Sequence, residues 1–439
     1  MTAQDPLEYL SGLSGKGMRL SLGPVSQLLD RLNNPQEKYR TVLVGGTNGK
    51  GSIAAMISSI LSEGGARVGL YTSPHLIDIR ERMRVNNRMI SIEELSRLIE
   101  EVRGEVKEDI TYFELVTTLA FLHFYRSSVE VAVLEVGMGG RLDATNVVIP
   151  EVSVISNISL EHREHLGNNL GAVAREKAGI IKDGGVCITA ARQKSVLGVL
   201  EDICSERKAR LYRLGKDIKV RAAKGLRPEG TYTPELNNFS YKGIEKNYGN
   251  LVCPLTGRHQ MENAAVALGT IELLAAKGVG VDEDVVTRGL RNVRWEGRLE
   301  VLQNSPMLVV DGAHNPAGAS ALRRALREKF SYRKLILMFG VLGDKDYKIM
   351  LKKLAPLADR LILTEPKEKR VLHLGDILPV AKMYINSVDV VEDSDRALSR
   401  AFALAGKDDL ICVTGSLFLV GEIKKRWNQK SGFRSQESE

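Results

Sequence analysis

A β-branched run, Thr41-Val42-Leu43-Val44, leads straight into Gly45-Gly46-Thr47-Asn48-Gly49-Lys50-Gly51-Ser52, after which apolar residues recur at Ile53, Met56, Ile57, Ile60 and Leu61. Those positions fall at i, i+3, i+4, i+7 and i+8, one face of a helix. Strand, glycine-rich turn and helix in that order make a βα unit whose turn lies at the carboxyl end of the strand. Such a turn presents backbone N–H groups and a helix N-terminus to an anion, and Lys50 adds a full positive charge. The general phosphate-loop spelling is G-x-x-x-x-G-K-[ST]. Here Gly51 stands between Lys50 and Ser52, so the strict pattern misses by one residue. Two readings stay open at this point: a phosphate cradle, or a tight βα turn without a ligand.

The same alternation continues along the chain. Val68–Tyr71, Val129–Val136 and Val152–Ile158 read as further strands, the last two as central strands of a parallel sheet buried on both faces. Repeated βα units predict an α/β fold with right-handed crossovers. The stretch from about Arg210 to Asn250, rich in Lys, Gly, Tyr and Asn, reads as a small antiparallel excursion, and helical spacing resumes at His259–Ala276. A second βα series begins at Pro306–Asp311 and continues through Leu335–Phe339, Leu361–Thr364 and Leu410–Thr414. A boundary near Asn292–Leu299 therefore predicts domains at 1–297 and 298–425, with a polar, frayed tail over 426–439.

In open α/β sheets, ligands bind beyond the carboxyl ends of the strands. Three strands end there in chemistry-bearing residues: Val68–Tyr71 runs into Ser73, Val131–Leu134 into Glu135, and Val152–Ile158 into His162. A carboxylate at Glu135 sits where a Mg²⁺ bridging nucleotide phosphates needs an oxygen ligand. Taken singly, each has a plain alternative: a helix cap for Ser73, a surface ion pair for Glu135, a loop histidine for His162. Their convergence beside a phosphate loop favours the functional reading.

Charge narrows the ligand. Lys and Arg number 62 against 54 Asp and Glu, a net +8, which favours an anionic ligand but leaves its size open. The basic residues are spread along the chain and aromatic residues are only 5%, which argues against a nucleic-acid partner. No run approaches the ~18 apolar residues of a membrane helix, and Met1–Tyr9 has no signal-peptide pattern. Four scattered cysteines (Cys187, Cys204, Cys253, Cys412) form no metal knuckle and no disulfide framework, so the expected compartment is the cytoplasm.

With these residues in view, the sequence resembles the folylpolyglutamate synthase and dihydrofolate synthase family of the Mur ligase superfamily. The matching segments are Gly46–Ser52, Ser73-Pro74-His75-Leu76 with Glu81-Arg82, Thr111-Tyr112-Phe113-Glu114, Glu135–Asn146, Ile158–Gly167, Glu176–Ile180, Gly257–Leu268, Gly297–Glu300, Asp311–Pro316 and Thr414–Glu422. They keep the family's order from about Gly17 to Glu422, and the Gly51 insertion is the family's own spelling. The resemblance implies a P-loop Mur-ligase central domain with a mostly parallel sheet and a smaller Rossmann-like C-terminal domain. It implies ATP contacts at Thr47, Asn48, Gly49, Lys50, Gly51, Ser52, Asn263, Arg298 and Asp311. It makes Ser73, Glu135, His162 and Lys177 metal ligands, Lys177 as a carbamate, and places Lys50, His162 and Lys177 in catalysis. Gly17, Met18, Arg19, Thr111, Tyr112, Phe113, Glu114 and Leu142 match the pterin or folate site. Each of three positions keeps a plain alternative: Phe113 as core, Asp311 as a cap for the helix after Pro316, and Lys177 as a solvated helix-end lysine. Two positions depart from the family pattern, Glu161 for Asp and Met138 for Leu, and neither is expected to touch a carried-over ligand.

The implied activity is ATP-dependent addition of L-glutamate to a dihydropteroate or reduced folate, by a monomer using ATP and two Mg²⁺ ions, without nucleic acid or membrane. Only 44 residues precede Gly45, which is marginal for the additional N-terminal domain of a peptidoglycan Mur ligase and argues for the folate branch. A non-ligating P-loop ATPase accounts for the cradle, but not for Glu135, His162, Lys177 and the second βα domain.

Overall fold

The computed structural model of the chain describes residues 5–13, 17, 19–223 and 236–436. They form two compact units. The first runs to Ala223 and takes in Phe239–Val252 and Met261–Val293; the second holds Cys253–Gln260 and the chain from Arg294 onward. No helix among the described residues is long and apolar enough to cross a membrane.

The first unit is built on eight strands: β1 (Arg40–Gly45), β2 (Val68–Tyr71), β3 (Met83–Val85), β4 (Arg88–Met89), β5 (Val131–Glu135), β6 (Val152–Ile155), β7 (Val186–Thr189) and β8 (Arg210–Arg213). Their order is β4-β3-β2-β5-β1-β6-β7-β8. The six from β2 to β8 in that order run parallel, and the pairings of β3 with β2 and with β4 are antiparallel. As the apolar runs predict, β1, β2, β5 and β6 are buried nearly throughout. Because they are parallel, they deliver their following loops to one edge. The Arg210–Asn250 stretch is only partly the expected excursion. Its first strand, β8, pairs parallel with β7. The rest, β9 (Lys219–Ala222), β10 (Asn237–Lys242) and β11 (Asn247–Cys253), forms a separate three-stranded sheet in which β9 and β10 are antiparallel.

The second unit carries six strands: β12 (Glu300–Asn304), β13 (Met307–Val310), β14 (Leu335–Phe339), β15 (Arg360–Glu365), β16 (Val388–Asp393) and β17 (Leu410–Thr414). They are ordered β12-β13-β17-β14-β15-β16 and are parallel apart from β12. The expected α/β class holds in both units. β12 and β16 lie at the sheet edges and mix half-buried with exposed positions, so they lack the continuous apolar run by which the central strands announce themselves. The helix Leu417–Gln436 continues through Asn428, where composition suggests a frayed tail.

The helix Tyr112–Arg126 packs into the first core and carries a buried histidine. His123 lies 6.0 Å from the Phe124 ring, its Nδ1 has no hydrogen-bond partner among the described residues, and burial lowers its pKa to about 4. The unfolded value is ~6.5. Between these two values the unfolded chain binds more protons than the folded one, so stability is lost as pH falls through that window. His123→Leu should therefore show a shallower loss of stability from pH 7 to pH 4.5 than the wild type, measured by urea unfolding with far-ultraviolet circular dichroism. His75 and His259, lowered to the same value, should retain part of the slope. Identical slopes in the two proteins would rule out a buried neutral His123.

Candidate active site

The turn after β1 is a formed cradle. Gly46 and Gly49 have φ of 126° and 90°, conformations that L side chains rarely adopt. At Gly46 a Cβ would stand 2.0 Å from the Ser156 hydroxyl, so the loop closes against the segment after β6 only with glycine there. That segment laces it in place. The Thr47 N–H donates to the Asn157 carbonyl (2.7 Å), the Asn48 N–H to Asn157 Oδ1 (3.2 Å), and the Asn157 amide back to the Asn48 carbonyl (2.9 Å). The Ser159 N–H donates to the Thr47 hydroxyl oxygen (3.1 Å). Lys50 opens the helix Lys50–Glu63, and its Nζ folds back to the Thr47 carbonyl (3.1 Å). Gly51 and Ser52 follow, buried in the first turn, and the Asn263 side chain approaches Gly49 closely. Gly49 as N-cap supplies no side-chain hydrogen bond, which leaves the helix N-terminus available to an anion.

Lys177 is fully inside. Located near the end of the helix Leu170–Ala178, it donates to the Gly46 carbonyl (2.8 Å) and to Glu161 Oε1 (2.7 Å), which disposes of the solvated-lysine alternative. The expectation that Glu161 touches no carried-over position is thus corrected. Glutamate is one methylene longer than aspartate, and this carboxylate ends directly on the ammonium. Burial lowers the Lys177 pKa, Glu161 opposes that, and nearby Lys50 reinforces it. For Glu161, burial alone would raise the carboxyl, but Lys177, with Lys50 and His162, holds it down to about 2. His162 itself is exposed and has a left-handed φ of 44°.

Glu135 ends β5 buried, with Oε2 accepting the Ser73 N–H (3.1 Å). The structure therefore brings Ser73 and Glu135 together at one edge, and Glu161, Lys177 and Gly46 at the floor of the cradle. No group of three or more His, Cys, Asp or Glu side chains among the described residues is gathered as a metal site. A buried carboxylate with a neighbouring serine nevertheless suits Mg²⁺, which binds through one or two carboxylates and keeps waters and phosphate oxygens. A second ion does not fit Lys177 as it stands, because an ammonium has no lone pair to offer a metal.

Of the residues matched to a pterin or folate site, Met18 lies outside the described residues. Thr111 and Glu114 form a capping box at the start of Tyr112–Arg126: Glu114 Oε2 accepts the Thr111 N–H (2.7 Å) and hydroxyl (2.7 Å), and the Glu114 N–H returns to the Thr111 hydroxyl (3.3 Å). They position the two residues between them. Tyr112 lies under the Arg82 guanidinium, 5.5 Å from its ring centre, and the Phe113 ring is 6.2 Å from that of Tyr71. Both are only partly buried, as is Leu142. Arg82 also donates to His75 Nδ1 (2.9 Å), and Glu81 accepts the N–H groups of Leu76, Ile77 and Asp78 (each 2.8 Å), fixing the loop after Ser73. Gly17 has a φ of 70°, and Arg19 pairs with Asp109 at 2.7 Å. Arg82, His75 and Asn157 are absent from the residues singled out for a site. Their signal was present, since all three lie in segments just beyond strand ends.

In the second unit, Asp311 is buried at the end of β13. It accepts the N–H of Leu299, which has a φ of 48°, and that of Ala313 (both 3.0 Å). The cap of the helix Pro316–Glu328 is Asn315, not Asp311. Arg298 donates to the Gly297 carbonyl (3.1 Å), and its charge lowers an Asp311 pKa that burial raises.

Two family models match the chain. The Mur ligase middle domain matches residues 44–271, and the Mur ligase glutamate ligase domain matches residues 297–417. A Bacillus subtilis dihydrofolate synthase/folylpolyglutamate synthase is 34% identical, covering 96% of this chain and 98% of its own. A Halobacterium salinarum bifunctional folylpolyglutamate synthase/dihydropteroate synthase is 36% identical over 98% of this chain, which spans only 52% of that relative's length. The solved structure of Mycobacterium tuberculosis folylpolyglutamate synthase complexed with ADP superposes with a TM-score of 0.88 at 31% identity, covering 96% of this chain and 98% of that one.

Breaking the pair beneath the cradle should be costly. Glu161→Gln leaves a buried ammonium without its counter-charge, and losing one partner of a buried pair costs about 3–5 kcal/mol. Thermal and urea unfolding should show a loss of that order. A wild-type unfolding midpoint in this variant would mean that Glu161 does not anchor Lys177.

Proposed function

The chain belongs to the folylpolyglutamate synthase/dihydrofolate synthase family of Mur ligases, and on that premise we propose that it is an ATP-dependent ligase joining L-glutamate to the carboxylate of a pteroate or folate. The observation that carries this reading is the cradle after β1, locked by Asn157 and floored by Lys177, with the Glu135 carboxylate at the end of the adjacent strand β5.

A carboxylate is a poor electrophile, and amide formation from it fails in water. Transfer of the γ-phosphoryl group of ATP makes an acyl phosphate and releases ADP. The glutamate amine then attacks the carbonyl carbon, loses a proton, and expels phosphate as the amide forms. The chain's share in this is positioning and charge. The glycine-rich turn offers its N–H groups to the phosphates. Lys50 swings from the Thr47 carbonyl to the γ-phosphoryl, while Lys177 holds the Gly46 carbonyl so that the turn keeps its shape. Glu135 and Ser73 would hold Mg²⁺, which when bound neutralises phosphate charge. Tyr112 and Phe113, with Arg82 above, offer a flat apolar surface and a cation to a heteroaromatic acid. Thr47, Asn48, Gly49, Gly51, Ser52, Asn263, Arg298 and Asp311 are proposed as further nucleotide contacts. The substrates are small molecules and the enzyme acts as a cytoplasmic monomer.

Carbamylation of Lys177 remains part of the proposal. Carbon dioxide adds to the neutral amine and a proton leaves, so the ion pair with Glu161 must open first. Burial and Lys50 favour the neutral amine, whereas Glu161 opposes it. Isotope-labelled bicarbonate should give a carbamate carbon signal that vanishes in Lys177→Ala; its absence from the wild type would exclude the modification.

ADP release by the purified protein should require both L-glutamate and a pterin acceptor, with dihydropteroate and tetrahydrofolate compared side by side. Release without either would instead indicate a non-ligating ATPase. Lys50→Ala should lower turnover by more than about a hundredfold, or 2.7 kcal/mol, and activity near wild type would remove Lys50 from the reaction. Arg298→Ala should raise the KM for ATP about tenfold with little change in unfolding. An unchanged KM would take Arg298 out of the nucleotide site.

A further inference from the structure

Away from the cradle, the small sheet of the first unit has two unlike faces. Along β10, Phe239 and Tyr241 point inward and are buried, while Ser240 and Lys242 are exposed. The register sets Lys242 directly opposite Lys219 and Ser240 opposite Arg221, so Lys219, Arg221 and Lys242 share the outer face. With Arg192 they line a groove of about 450 Å³ that no carboxylate enters. Among the described residues only Arg192 of these four has an ion-pair partner, Glu262 at 2.8 Å. Like charges placed directly across a strand pair are destabilising, and among the described residues no ion pair relieves Lys219 against Lys242.

The platform beneath is rigid. Tyr241 donates its hydroxyl to Glu272 Oε1 (2.6 Å), and Glu272 Oε2 accepts the N–H groups of Glu245 and Lys246 (2.7 and 2.9 Å), clamping the β10–β11 hairpin. One end of the groove borders the cradle. Beside Arg192, the Gln193 amide donates to the Ile158 carbonyl (2.8 Å), one residue before Ser159. Glu262, the partner of Arg192, adjoins Asn263, which flanks Gly49.

We propose that this cationic sheet face is a binding site for an oligocarboxylate chain, the γ-linked oligoglutamate tail of the folate that the ligase extends. This assignment rests on the ligase reading above. The geometry suits a chain carrying one carboxylate per unit: the Cβ atoms of Lys219 and Lys242 lie about 5 Å apart across the strands, and those of Lys219 and Arg221 roughly 7 Å apart along one strand. A single-stranded nucleic acid would also bring negative charge, but it binds through a series of stacked bases, and the groove lining offers one aromatic side chain, Tyr241, which is buried with its hydroxyl bonded to Glu272. A tail held here also keeps its terminal carboxylate, the group that is activated, near the cradle and raises its effective concentration there.

The test uses the full-length protein and the triple variant Lys219→Glu/Arg221→Glu/Lys242→Glu, with a Gln triple variant as a milder control. Two readouts are taken: calorimetric binding of free γ-linked pentaglutamate, and the KM for monoglutamyl and pentaglutamyl folate acceptors. The wild type should bind the peptide more weakly as salt rises, and charge reversal should abolish that binding. Reversal should raise the KM for the pentaglutamyl acceptor about tenfold, with the Gln variant between, while the monoglutamyl KM stays within about twofold. Equal pentaglutamyl KM in wild type and variant, or peptide binding indifferent to the charges, overturns the site. So does charge-dependent binding of an oligonucleotide without binding of the peptide. If the wild type ligates no glutamate even to a monoglutamyl acceptor, the ligase reading fails, and the peptide titration still decides whether the face binds oligocarboxylates.

Discussion

The site depends on a backbone carbonyl held from below. The Gly46 oxygen receives the buried Lys177 ammonium, and the same ammonium is neutralised by Glu161, which follows β6. Three segments distant in sequence, the turn after β1, the loop after β6 and the helix Leu170–Ala178, are thereby tied at one atom. A charge so deeply placed is tolerable only because both contacts have good geometry and opposite polarity. Remove either and the phosphate-facing amides of Thr47 and Asn48 lose the frame that orients them. The Asn157 side chain acts alongside, bonding one loop residue as acceptor and as donor, so the cradle is shaped before any anion arrives.

Much of this was legible in the residues alone. Parallel strands buried on both faces leave uninterrupted apolar runs, so β1, β2, β5 and β6 could be read directly, and with them the edge where Ser73 and Glu135 meet. The cradle was legible because glycine, lysine and serine at fixed offsets have few other reasons to follow a strand. The edge strands β3, β4, β12 and β16 were not legible, because half-exposed strands have no continuous run to see. Glu161 was noticed only as an unusual residue. Its role required knowing that Lys177, sixteen positions further on, returns beneath the turn. Thr111 and Glu114 carry two readings at once. Their spacing marks a helix cap as clearly as a ligand site: the cap takes the Thr111 hydroxyl and Glu114 Oε2, while Glu114 Oε1 is buried with no hydrogen-bond partner among the described residues and Tyr112 and Phe113 stay partly exposed.

The two sheets of the first unit divide their labour by burial pattern. The large sheet is covered on both faces and expresses its chemistry only at strand ends, where side chains leave the pleat. The small sheet alternates buried and exposed along β10, and can therefore present a whole row of charges on a flat surface. The composition of Arg210–Asn250, unremarkable as a list of residues, becomes informative once the strand register places three cations on one side.

The helix Lys50–Glu63 starts without a side-chain cap, since Gly49 has none to give. The leading N–H groups of a helix have no partner within it and are often met by a capping side chain; here, with no such cap, they are left to whatever anion occupies the turn. Part of the folding free energy of the first unit is thus lodged in its ligand. Each rise in the concentration of a bound anion above its dissociation constant adds stability logarithmically. The chain is consequently a thermodynamic gauge: its resistance to unfolding and to proteolysis follows the supply of the molecule it consumes.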